Sequence, residues 1–145
     1  MRFISGGQTG VDRAVLDACM ARGFPAGGWC PAGRRAEDGV IAGYYPVREL
    51  AASGYAARTA QNVVDSDATV VIYAERADGG TRLTLDKLRE FGVPYIEIDL
   101  AHTGLTEAAD AVLQFIDRNQ VEVLNWAGPR ASKCARGYEF ATELA

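Results

Sequence analysis

Residues Ala68 to Ala74 read ATVVIYA, seven positions without a charged side chain. A strand that shows no alternation of apolar and polar residues is buried on both faces, and such strands lie inside parallel sheets covered by helices above and below. That demand constrains the chain more than any other feature in it. The flanking segments supply the helices. Val11 to Arg22 places Val11, Val15, Leu16 and Cys19 on one face and meets a stop at Gly23. A second helix runs from about Gly54 to Val64 with Ser53 as its cap. A third is opened by Gly79-Gly80-Thr81 and ends near Phe91, with Gly92 behind it. A fourth covers Thr106 to Asn119, and a fifth Ser132 to Leu144. Between them Arg2–Ser5, Ala26–Trp29, Tyr95–Ile98 and Val121–Asn125 read as strands, and Cys30–Gly43 as a loop. Strands alternating with helices imply βαβ units with right-handed crossovers. The expected fold class is α/β: a three-layer sandwich with a mostly parallel open sheet and helices on both faces.

The 145 residues suit one domain spanning 1–145, without repeats, low-complexity tracts or an evident linker. No apolar run approaches the roughly 20 residues needed to cross a bilayer. The first residues lack the basic and apolar regions of a signal peptide, so a cytoplasmic location is expected. A net charge of −4 argues against extended nucleic acid as a partner, because that needs a basic footprint. It leaves room for a small anionic ligand held locally. Cys19, Cys30 and Cys134 are odd in number and far apart, which is neither a disulfide framework nor a zinc spacing. The single histidine, His102, reads as a surface residue, and no protein-ligated metal is expected.

In open parallel sheets, ligands bind beyond the carboxyl ends of the strands, at a switch in strand order. That rule directs attention to the loops that follow strands. The first is SGGQTGVD, Ser5 to Asp12. Gly6, Gly7 and Gly10 allow close backbone approach, and the helix that follows aims its free amides back at the loop, as an anion cradle does. Gln8 and Thr9 add polar side chains, and Asp12 either caps the helix or meets a ligand hydroxyl. In WCPAGRRAEDG, Arg34 and Arg35 can grip a phosphate or carboxylate, unless Glu37 and Asp38 neutralise them internally. Cys30 fits a small buried thiol. Arg58 and Asn62 share one helix face. Gly79, Gly80 and Thr81 form a second glycine-rich helix start. Arg130 and Lys133, in NWAGPRASK, bring positive charge to the same edge. Trp29 is expected to pack, as is Tyr55, while Trp126 could either pack or stack on a ligand.

SGGQTGVDRAVLD (Ser5–Asp17), GGWCPAGRRAEDG (Gly27–Gly39), YAARTAQNVVDSDATVVI (Tyr55–Ile72), GGTRLT (Gly79–Thr84) and NWAGPRASK (Asn125–Lys133) together resemble the putative molybdenum carrier family. The resemblance runs in order over nearly the whole chain. It implies a Rossmann-like fold of the wider group that holds the cytokinin-activating phosphoribohydrolases and the molybdenum-cofactor carrier of green algae. It implies a pterin phosphate (the molybdenum cofactor) or a nucleotide derivative at the glycine loops, and a homodimer or homotetramer. The reading it favours is a small-molecule binding protein. The alternative is a phosphoribohydrolase or N-glycosidase acting on nucleotides, with Asp12, Glu37 or Asp38 as acid or base. The phosphoribohydrolase pattern places a glutamate where this chain has Thr84, and a hydroxyl cannot act as a carboxylate base.

Overall fold

The computed structural model describes residues 1–51, 55–134 and 136–144. Its elements in chain order are β1 (Arg2–Ile4), α1 (Val11–Arg22), β2 (Ala26–Gly27), β3 (Trp29–Cys30), β4 (Arg35–Ala36), β5 (Gly39–Val40), β6 (Arg48–Glu49), α2 (Tyr55–Val64), β7 (Ala68–Tyr73), α3 (Gly79–Phe91), β8 (Tyr95–Asp99), α4 (Leu105–Asn119), β9 (Val123–Ala127) and α5 (Gly137–Leu144). The expected Ser53 cap and the Tyr55 side chain lie outside the described residues.

Five strands make one parallel sheet in the order β2-β1-β9-β7-β8. The register places Ile4 beside Asn125 and Val70 beside Trp126. Strand β7 divides its side chains between two cores. Val70 and Ile72 pack with Val15, Val112, Phe115 and Trp126 beneath α1, α4 and α5. Val71 packs with Val63, Leu85 and Leu88 beneath α2 and α3. The uninterrupted apolar run is thus consumed on both sides, and the sandwich has the expected three layers. Gly23 and Gly92 end α1 and α3 in the left-handed conformation. No helix among the described residues is long and apolar enough to cross a membrane.

Four segments differ from the sequence reading. The expected strand Ala26–Trp29 is split: β2 joins the main sheet, whereas β3 pairs with β6 in a separate two-stranded sheet. The loop after β3 contains a short antiparallel hairpin, β4–β5, pairing Arg35 with Val40. The last strand sits two residues later than periodicity suggests, because Asp67 Oδ2 takes the amides of Glu122 and Val123 at 3.0 and 2.9 Å. The last helix starts at Gly137 rather than Ser132. Residues 130–134 turn instead: the Ser132 side chain and amide donate to Glu37, and the Ala131 amide donates to Thr9 Oγ1 at 3.1 Å. Trp126 is buried in the core, Cys30 is buried, and His102 is exposed beside Asp99. Trp29 is half-buried, and its indole donates to Asp65 at 2.6 Å.

Leu124 lies fully buried in β9, between β1 and β7. Leu124→Ala is expected to cost about 2–5 kcal/mol, read as a lower urea midpoint with an unchanged denaturant slope.

Candidate functional site

A cavity of about 710 Å³ opens at the carboxyl edge of the sheet. It lies where β9 and β7 adjoin and their chains leave in different directions, which is the place where such sheets bind ligands. Its wall takes Gln8 and Asp12 from the first loop and helix, Arg58 and Thr59 from α2, Tyr73 to Thr84 in part from the β7–α3 connection, and Ala127 to Cys134 in part from the segment after β9.

The first loop is occupied by the protein's own groups. A Cβ on Gly6 would meet the Arg58 guanidinium at 2.0 Å, so Gly6 is the seat on which that side chain rests. A Cβ on Gly10 would meet the Pro129 carbonyl at 2.3 Å, which is where the segment after β9 crosses. The Gly7 carbonyl accepts from Arg13 Nε and Nη2 at 3.1 and 3.0 Å. The anion that the loop amides favour is Asp12 itself: the amides of Gly6 and Gln8 both stabilise its charged form. What sits on the first loop is thus Arg58 and Asp12.

Asp12 is 4% exposed and lines the cavity. Burial pushes its pKa up to about 6, against the opposing pull of Arg58, the two amides and Arg13. Arg58 Nη1 stands 3.5 Å from Asp12 Oδ2. Because the folded chain holds this proton more tightly than the unfolded one, the Asp12 contribution to stability falls as pH rises from about 4 to about 6.

The other two carboxylates hold loops together. Glu37 accepts from Thr9 Oγ1 at 2.5 Å and from the Ser132 hydroxyl and amide, and lies 3.6 Å from Arg130. Those bonds hold its pKa below the usual carboxylate value. Asp38 accepts from Arg13 at 2.9 and 3.2 Å, and its pKa is likewise lowered. So Glu37 and Asp38 do neutralise arginines, but those of the first helix and last loop.

Arg34 and Arg35 do not line the cavity. Arg34 donates to the carbonyls of Ile41, Ala42, Tyr45 and Val47 and so folds its own loop. Arg35 is exposed and donates to Ala32. Asn62 is buried and pairs with both backbone groups of Trp29, at 2.8 and 2.9 Å. Ser5, Gly7, Thr9 and Gly10 also stand outside the cavity wall, and the Ser5 hydroxyl donates to the Asp12 carbonyl at 2.8 Å.

The start of α3 is different. A Cβ on Gly79 or Gly80 would meet nothing within 4 Å. Thr81 is 4% exposed, lines the cavity, and its hydroxyl has no hydrogen-bond partner among the described residues. A buried hydroxyl without a partner carries a free-energy cost that a ligand acceptor would remove. The positive end of the 13-residue helix α3 points here as well. Arg58 from α2, with Arg130 and Lys133 from the segment after β9, add positive charge to this wall. Thr84, at the position of the phosphoribohydrolase glutamate, donates to the Gly80 carbonyl at 3.1 Å. Asp86 is exposed and pairs with Arg82. Sequence reasoning did not single out Tyr73, Glu75 or Cys134, which line the same wall; no local motif marks them. Among the described residues no group of three or more His, Cys, Asp or Glu is placed to hold a metal ion.

Residues 3–145 match a family model described as the circularly permutated YpsA SLOG family. A crystal structure of a protein named "Putative molybdenum carrier protein", from Syntrophus aciditrophicus SB, superposes with a TM-score of 0.96 and 39% sequence identity, over 99% of this chain and 90% of that one. No curated protein matches the chain.

A carboxyl-resolved NMR titration is expected to give Asp12 a midpoint near pH 6, and Glu37 and Asp38 midpoints below their ordinary values. An Asp12 midpoint near 4 would refute the account of its burial.

Proposed function

The chain belongs to the circularly permutated YpsA SLOG family, and from that premise we propose that it binds a small phosphorylated molecule in the cavity between β7 and β9. One observation carries the reading: the unpartnered, buried Thr81 hydroxyl at the start of α3, in a cavity that also takes Arg58, Arg130 and Lys133. Phosphate is the group that uses helix amides, a hydroxyl and cations together. In this reading Gly79, Gly80 and Thr81 hold the phosphate, and the cations neutralise it. Gln8 and Tyr73 border the space left for the rest of the molecule. The 39% identical neighbour is named as a putative molybdenum carrier, which makes a pterin phosphate bearing molybdenum the first cargo to test, with nucleotide derivatives as the second. The protein holds the pterin and its phosphate, and no protein side chain ligates the metal. The proposal includes a cytoplasmic setting and a homodimer or homotetramer.

Native mass spectrometry of gently purified protein, with metal analysis of the same sample, is expected to show a retained phosphorylated small molecule and to report the oligomer. Thr81→Val should then weaken binding of that molecule about tenfold or more, the usual loss for one hydrogen bond to a charged group. Unchanged affinity in Thr81→Val would remove α3 from the site.

A second reading is hydrolysis of a nucleotide, and it is favoured by Asp12 alone, the carboxylate of the three that lines the cavity. Release of free base from nucleoside monophosphates, at least a hundredfold slower in Asp12→Asn, is the expected result if this reading holds. Absence of turnover across a nucleotide panel would dismiss it.

A further inference from the structure

Among the described residues, three other than glycine take a left-handed backbone conformation: Arg34, Glu75 and Gln120. Such residues are uncommon and need a local reason. Arg34 has one in the four carbonyls that its side chain ties together. Gln120 has one as the cap that ends α4. Glu75, at φ 68°, lies two residues beyond β7 and lines the cavity.

Asp99 fixes Glu75 in that conformation. It ends β8 beside Tyr73, and its carboxylate accepts from the Glu75 amide at 2.7 Å and the Ala101 amide at 3.0 Å. His102 Nδ1 stands 2.8 Å from its second oxygen. A glycine would make this turn at lower cost. The chain places a carboxylate there instead. That carboxylate makes no hydrogen bond or ion pair among the described residues, and His102 feels it through space. Asp12, by comparison, is held by two loop amides and faces Arg58. Asp78 is the N-cap residue of α3, and its carbonyl takes the Thr81 amide at 3.1 Å.

The same cavity holds the buried Thr81 hydroxyl without a partner. A ligand that offers an acceptor to Thr81 must still offer donors to Glu75. Two adjacent donors match the two oxygens of one carboxylate.

Resting on the proposed phosphate site, we propose that Glu75 determines the specificity of the cavity: its carboxylate, fixed by Asp99, accepts from two adjacent donors on the part of the ligand beyond the phosphate. Two sources offer such a pair. One is the vicinal hydroxyls of a ribose, and the other is the amino group and ring N–H that guanine and pterins share. Asp99 stands outside the cavity wall and acts as a positioning residue.

The test uses the full chain with inorganic phosphate, GMP, AMP and 2′-deoxy-GMP. The amide resonances of Gly79 and Gly80 report the phosphate end of each probe. AMP lacks the guanine edge, and 2′-deoxy-GMP lacks the vicinal hydroxyls. GMP is expected to bind about tenfold or more tightly than one of these two, the usual effect of hydrogen bonds to a charged group, and the weaker one names the donor source. In Glu75→Gln that preference should vanish. It should vanish too in Glu75→Gly, a variant that suits the left-handed turn. Asp99→Ala should lower the preference while inorganic phosphate binds as before, and Asp78→Asn should keep it. Equal binding of the three nucleotides to the wild type overturns the proposal and leaves the phosphate site standing. So does a preference that survives in both Glu75 variants, or one lost only in Asp78→Asn. Amides that answer neither phosphate nor any nucleotide overturn the phosphate site, and the proposal falls with it.

Discussion

Strand β7 has no face left for water, and the architecture follows from that. Val70 and Ile72 need one helical layer and Val71 needs another. A parallel sheet with helices on both sides meets both needs, and every crossover then returns the chain to the same edge. Loops that follow strands accumulate there, together with the starts of α1 and α3. Where β7 and β9 adjoin, the chains leaving them diverge, and a space of about 710 Å³ remains. The cavity is a geometric result of covering one apolar strand, later furnished with polar groups.

The furnishing relies on contacts between loops that are distant in sequence. Glu37 ties Thr9 to Ser132, and Asp38 ties the hairpin to Arg13. Arg13 in turn holds the Gly7 carbonyl. These exposed carboxylates gain from fixed donors rather than from burial, whereas Asp12 is dominated by burial and is pushed the other way. An acidic chain thereby uses much of its negative charge to position loops, while Arg58, Arg130 and Lys133 line the space between them.

The layers were legible from the sequence because periodicity and uninterrupted apolar runs report directly on burial. The helix ends at Gly23 and Gly92 were legible for the same reason that glycine is used there. The roles of the first loop were less so. Gly6, Gly7 and Gly10 suggest an approaching group, but the sequence does not say which group approaches. For Gly6 and Gly10 it is Arg58 and the Pro129 carbonyl, 52 and 119 positions away. Arg34 and Arg35 look like ligand cations in one dimension; four backbone carbonyls that claim Arg34 become visible only once the loop closes. Ser132 reads as the start of the last helix, yet its hydroxyl goes to Glu37 and the helix begins later.

The strand at the centre of the sheet is the last to be made. β9 separates β1 from β7, so those two never pair with each other. Counted from β9, the order β2-β1-β9-β7-β8 reads 3-2-1-4-5, the start of the doubly wound nucleotide-binding arrangement. On the ribosome this numbering has a cost. Until residue 127 has emerged, β1 and β7 each keep an unpaired edge facing the slot that β9 will fill. Exposed strand edges are templates for pairing with other chains. Between residue 73, which completes β7, and residue 127, which completes β9, the nascent chain therefore carries the sheet as two halves with open edges.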